Sequence, residues 1–226
     1  MRLQEKVNMM KLTMLALLGL GLFFSGSVRG QSFTNNANTV IPDGNPVGFV
    51  STLTVSGLTN VSSIQVTLDI TGGFNGDLYA YLVGPQGQLA VLLNRVGLGS
   101  ANPFTYGDAG FNITLTSGAL NIHNYQDYVI PTGQLTGTWS PDGRNISPNS
   151  APSVFDTAAT TANLDLFAGT VPNGTWTLFI ADLASGGGQA TLVSWGLTIV
   201  TVPEPQTWML VAGGFGAMLA LRRFRK

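Results

Sequence analysis

Two-residue alternation dominates the middle of the chain. From Val61 to Thr71, Ile64, Val66, Leu68 and Ile70 fall on one face and Gln65, Thr67 and Asp69 on the other, as a half-buried strand requires. Asp77 to Val83 and Leu89 to Leu93 read as two further strands. The turn Gly84-Pro85-Gln86-Gly87 joins them as a hairpin, with proline fixing one φ and glycine accepting a positive one. Phe111 to Thr116 and Thr175 to Ala181 also alternate, and Ala190 to Val200 forms a long last strand. Trp176, Leu178 and Ile180 share one face, and Val193, Trp195, Leu197 and Ile199 another. Large residues at period two suit the opposed inner faces of two packed sheets. The stretch from Tyr125 to Asn163 carries Pro131, Pro141, Pro148 and Pro152 and reads as loop-rich, though long enough to hide a strand or two. Helical periodicity is nearly absent between Val47 and Val202, so the pattern predicts an all-β sandwich or jelly roll.

The two ends follow different rules. Arg2, Lys6 and Lys11 precede an apolar run from Leu12 to Phe24, and Val28-Arg29-Gly30 offers a signal-peptidase site before Gln31. Residues 1–30 are therefore expected to be a signal peptide with an apolar helix, and 31–46 a linker or first strand. At the other end, Pro203-Glu204-Pro205 terminates the last strand, because proline cannot donate to a ladder. An apolar run from Trp208 to Leu221 follows, including Leu210, Val211, Phe215 and Leu219, and then the cations Arg222, Arg223, Arg225 and Lys226. Its 14 residues would span roughly 21 Å as a helix, short of the ~30 Å hydrocarbon core. The basic end is expected to stay cytoplasmic.

With these ends set aside, the composition changes. The whole chain has a formal charge of −1, but eight of its ten cations lie in the two targeting segments. From Gln31 to Val202 there are two arginines, Arg95 and Arg144, nine aspartates, no glutamate and no lysine, a formal charge of −7. Nucleic-acid binding by counterion release needs clustered Lys and Arg, so that class is excluded. The absence of cysteine removes disulfides, thiol nucleophiles and thiolate metal sites.

Two resemblances add to these readings. The Val-Pro-Glu-Pro signature, the short Gly-rich apolar helix and the basic end over 203–226 resemble the PEP-CTERM sorting signal of Gram-negative bacteria. That resemblance implies an exosortase and a signal peptidase as export partners, transient anchoring in the inner membrane, and delivery to the cell surface or outside. Three further segments resemble the P domain, or Homo B, of proprotein convertases: Gly76-Asp77-Leu78 through Gly84-Pro85-Gln86-Gly87, Phe167-Ala168-Gly169 with Gly174 to Asp182, and Gly188 with Leu192 to Ile199. It implies a jelly-roll β-sandwich over 47–202. The sequence departs from that family in lacking a histidine before Gly76 and in having no segment upstream of Val47 expected to be a subtilisin-like catalytic domain.

Candidate chemistry is sparse. His123 is the only histidine and no Gly-x-Ser-x-Gly elbow accompanies it, so a polar loop residue is expected and not a catalytic base. Paired carboxylates for glycoside hydrolysis are disfavoured because the domain has no glutamate, and Asp43-Gly44 and Asp142-Gly143 read as turn pairs. Asp77, Asp108 and Asp182 occupy the P-domain family's acidic positions at strand ends. If they met at one rim of the sandwich, their repulsion would favour Ca²⁺, which takes six to eight oxygen ligands. Tyr79, Tyr81, Tyr106, Tyr125 and Tyr128 are either a sugar-stacking surface or packing residues. Taken together the chain is expected to be an exported, non-enzymatic surface or extracellular-matrix module, structural or adhesive, with polysaccharide or another surface protein as partner. The alternative is a protease-associated accessory domain acting in trans.

Overall fold

The computed structural model describes residues 30–202. The expected signal segment up to Arg29 and the expected tail helix from Trp208 lie outside the described residues. Among those described, no helix is long and apolar enough to cross a membrane.

Ten strands build two sheets: β1 (Gly30–Asn35), β2 (Thr39–Ile41), β3 (Asn45–Val55), β4 (Val61–Thr71), β5 (Leu78–Val83), β6 (Leu89–Asn94), β7 (Phe111–Thr116), β8 (Leu135–Trp139), β9 (Gly174–Asp182) and β10 (Ala190–Thr201). The larger sheet has the order β1-β10-β4-β7-β8, with β2 also paired to β10, and the smaller has the order β3-β9-β5-β6. All pairs are antiparallel except β7 with β8. One short helix, α1 (Pro152–Thr157), starts on the proline that can open a helix but not continue one.

The alternation read from β4 is the one observed: Ile64, Val66, Leu68 and Ile70 are buried and Gln65 and Thr67 exposed. Across the core stand Leu78, Ala80 and Leu82 of β5 and Trp176, Leu178 and Ile180 of β9, all fully buried. Burying each large side chain contributes about 1.5–3 kcal/mol. The sheets are also tied by a polar contact, the Trp195 indole N–H donating to Ser51 Oγ at 2.8 Å. The β5–β6 hairpin forms as expected, closed by the Gly84 N–H to Gln88 carbonyl bond at 2.9 Å, with Gly87 at φ +86°.

On β10 the inner face differs from the alternation. Leu192, Trp195, Leu197 and Ile199 are buried, whereas Val193 is only half-buried. A bulge between Leu192 and Ser194 opposite β4 inserts one unpaired residue, which moves the alternation by one position.

The segment 31–46 contributes β1, β2 and the start of β3, so the last strand gains a partner at one edge. The loop-rich stretch 125–163 contains β8 and α1. Its later part lies over β6: Gly143 N–H bonds the Val91 carbonyl at 3.0 Å, and Val91 N–H bonds that of Ala162 at 2.8 Å. This cover explains why Ala90 to Asn94 are all buried on a strand that ends its sheet, where uncovered backbone would invite edge pairing.

Candidate functional site

The antiparallel register of β5 and β9 sets Leu78 opposite Asp182, which carries Asp77 and Asp182 to the same rim. Both are buried. Asp182 Oδ1 accepts from the Ala184 N–H at 3.2 Å, while its Oδ2 has no protein donor. Asp43, in the turn before β3, joins them by accepting from the Gly186 N–H at 3.2 Å. The cation at this rim is Arg95, whose Nη2 lies 3.8 Å from Asp77 Oδ1 and whose Nε donates to the Gly76 carbonyl at 2.8 Å. Burial pushes the Asp77 carboxyl up from its ordinary range, with Arg95 opposing and Asp182 and Asp43 adding. Burial also pushes Asp182 up, opposed by the Ala184 N–H and reinforced by Asp43.

Asp108 does not join this pair. Its Oδ2 accepts from the Tyr125 hydroxyl and from Gln126 Nε2, each at 2.6 Å, and the Asn75 side chain donates to the same hydroxyl at 3.2 Å. Burial and the bond to Asp108 push the Tyr125 hydroxyl well above its ordinary range. The rim therefore brings together Asp77 and Asp182 of the three expected carboxylates, with Asp43 and Arg95 beside them, while Asp108 is a separate, tyrosine-bound aspartate. Among the described residues no group of three acidic or histidine side chains has metal-holding spacing.

His123 is not the polar loop residue that the sequence suggested. It is 4% exposed, with Nδ1 2.6 Å from Asp142 Oδ2 and Nε2 2.9 Å from the Leu98 carbonyl, and its ring stacks on Phe155 at 5.8 Å. Asp142, expected in a solvated turn, is fully buried and its Oδ1 accepts from Arg144 Nη1 and from the Arg144 N–H, each at 3.2 Å. Burial arises because the cover over β6 packs Asp142 and Phe155 against the turn that holds His123. A histidine paired through Nδ1 to a carboxylate resembles half of a hydrolytic triad. Its Nε2, the atom that would take a proton from a nucleophile, is occupied by a backbone carbonyl.

The tyrosines divide by face. Tyr125 is fully buried and packs edge-on against Tyr106 and Trp139. Tyr79 and Tyr81 stand half-buried on the outer face of the smaller sheet, where the Tyr81 ring stacks on Phe179 with centroids 4.8 Å apart. Tyr128 is 59% exposed.

The pairings of Arg95 and Arg144 were not foreseen from sequence, although a signal existed. In a segment of nine aspartates and no lysine, two isolated arginines are scarce enough to mark buried carboxylates that need a partner.

A family model covers the tail. Residues 201–226 match the family model of the PEP-CTERM protein-sorting motif. Over 75 residues, 32% of this chain, the sequence is 40% identical to leupeptin-inactivating enzyme 1 of Streptomyces exfoliatus, covering 17% of that enzyme. The crystal structure of the serine protease of Aeromonas sobria is similar at 16% identity and a TM-score of 0.42, over 82% of this chain and 29% of that one. The same protease complexed with the chaperone ORF2 matches at 16% identity and a TM-score of 0.43, over 81% and 29%. The chain therefore spans less than a third of the length of the relatives it matches. The tail motif implies an exported protein processed by an exosortase.

Proposed function

We propose that the chain is a non-enzymatic surface module: a jelly-roll sandwich of the P-domain type, carried out of the cell by its tail and serving a structural or adhesive role there. The observation that carries the non-enzymatic part is the closure of His123 between Asp142 and the Leu98 carbonyl, which leaves its ring without a free nitrogen for proton transfer. The P-domain reading is supported by two packed sheets and by the chain order of the three segments that resemble that family. The sorting motif at 201–226 supports delivery to the surface and transient membrane anchoring.

A second reading is an accessory domain that works beside a separate hydrolase. It is favoured by the 75-residue likeness to an enzyme of which this chain covers only 17%. Peptidase and glycosidase assays on the native exported product, with its mass determined, separate the readings. The module reading expects a product lacking Pro203 onward and no turnover. Hydrolysis by the protein alone overturns it, and hydrolysis by a partner enzyme only when this protein is added selects the second.

A further inference from the structure

The outer face of the larger sheet carries a recess of about 340 Å³ that no part of the foregoing chemistry uses. Six polar side chains line it: Thr67 and Asp69 of β4, Asn112 and Thr114 of β7, Thr138 of β8 and Ser194 of β10. Register places them in rows. Asp69 is opposite Asn112 on one side and Ser194 on the other, while Thr67 is opposite Thr114, which is opposite Thr138. One irregularity borders it: the bulge between Leu192 and Ser194 on β10 sets Ser194 directly beside Asp69.

An outward sheet face is ordinarily polar because water covers it. This one differs in having a carboxylate held in place. Gln134 donates from Nε2 to Asp69 Oδ1 at 2.9 Å and is itself fixed by the Ile70 carbonyl at 2.8 Å. Asp69 Oδ2 and the Asn112 amide make no hydrogen bond to protein among the described residues, and they stand side by side in register. A carboxylate oxygen that accepts beside an amide that donates offers complementary partners to two neighbouring hydroxyls of one ligand. The surrounding threonines and serine both donate and accept, so they suit a ligand with hydroxyls on several sides. Charge narrows the class further. Asp69 is the only acidic or basic side chain in the lining and the segment around it has a formal charge of −7, which repels anionic polymers.

We propose that this recess binds a neutral polysaccharide, with Asp69 and Asn112 bridging a vicinal diol and the hydroxyl rows tracking the adjoining ring. The volume lies at the low end of the ~300–1,000 Å³ of ligand sites, room for about one or two sugar rings. No aromatic side chain lines it, so each site binds weakly and retention depends on several copies meeting one polymer. The assignment rests on reading the chain as an exported module and names the class of partner it holds.

The test is affinity electrophoresis of the full chain in mild detergent through gels containing dextran, mannan or galactan, with alginate as the anionic comparator. Retardation by at least one neutral polymer and none by alginate is expected. Asn112→Ala, whose side chain makes no hydrogen bond to protein among the described residues, should weaken retardation about tenfold with an unchanged melting temperature, and so should Asp69→Asn, whose amide oxygen can still accept from Gln134. No retardation by any neutral polymer, or undiminished retardation of both variants, overturns the site while leaving the surface-module reading intact. Cleavage of the retained polymer would instead retain the site and overturn the non-enzymatic reading.

Discussion

Replacing Asp142 with alanine tests whether the histidine network is structural. The carboxylate is fully buried and accepts three hydrogen bonds, from His123 Nδ1 at 2.6 Å and from Arg144 N and Nη1 at 3.2 Å. Its removal strands a buried ring N–H and a guanidinium whose side chain is 12% exposed. Breaking a buried charge pair from one side costs about 3–5 kcal/mol, against a total stability of about 5–15 kcal/mol. For a domain of this size that corresponds to a fall in melting temperature of about 6–20 °C. Asp142→Asn should cost less, about 1–2 kcal/mol, because its amide oxygen can still accept from Arg144. Its NH₂ can then donate to Nδ1 of a ring protonated on Nε2, which keeps the bond to Leu98. Urea denaturation followed by tryptophan fluorescence measures both, with an unchanged slope expected. A loss below about 1 kcal/mol for Asp142→Ala would refute the reasoning, because no buried carboxylate with three donors should be removable so cheaply.

Two further predictions concern the acidic rim. Burial raises the folded-state carboxyl of Asp182 above its unfolded value, so its favourable contribution is complete below the unfolded value near 3.8 and is lost as pH rises through the folded one. Asp182→Asn should therefore raise the melting temperature at pH 7 and not at pH 3, and a scan showing equal or opposite shifts contradicts that sign. Millimolar Ca²⁺ should leave the melting temperature within about 2 °C, because Arg95 already stands beside Asp77 and no three acidic side chains among the described residues have metal-holding spacing; a larger rise, abolished by Asp77→Ala, would restore the calcium site expected from sequence.

The parts of the fold legible in the sequence are those where one face meets the core and the other meets water. β4 is the clearest, since its alternation and its burial coincide residue by residue. β8 was hidden because only Leu135 and Trp139 of its five residues are buried, with a glycine between them. β3 was not read as a strand, since Pro46 and Gly48 interrupt its start and the pairing shifts between Asn45 and Phe49. The misplaced face of β10 has a different cause: a bulge adds one residue to a strand, and nothing in a period-two pattern reveals where the count resets. His123 was illegible for a topological reason, as the groups that enclose it, Leu98, Asp142 and Phe155, lie 19 or more residues away along the chain.

The acidic composition, by contrast, was legible and gains its meaning from where the cations went. Arg95 and Arg144 are the only basic residues between Gln31 and Val202, and both are directed inward, toward Asp77 and Asp142. Their positive charge is used in holding buried carboxylates, so the solvent-facing charge of the domain is carried mainly by aspartates. Such a surface repels its own copies and anionic polymers at distances up to a Debye length of about 8 Å at physiological salt. Under the proposed adhesive role, retention of a polymer would run through hydrogen bonding and not through charge attraction, which is what the hydroxyl rows and the Asp–Asn pair supply. Reversing the charge of an exposed aspartate outside the recess lining, as in Asp165→Lys, should leave retention by neutral polymer unchanged, a result that a charge-driven adhesin would not show.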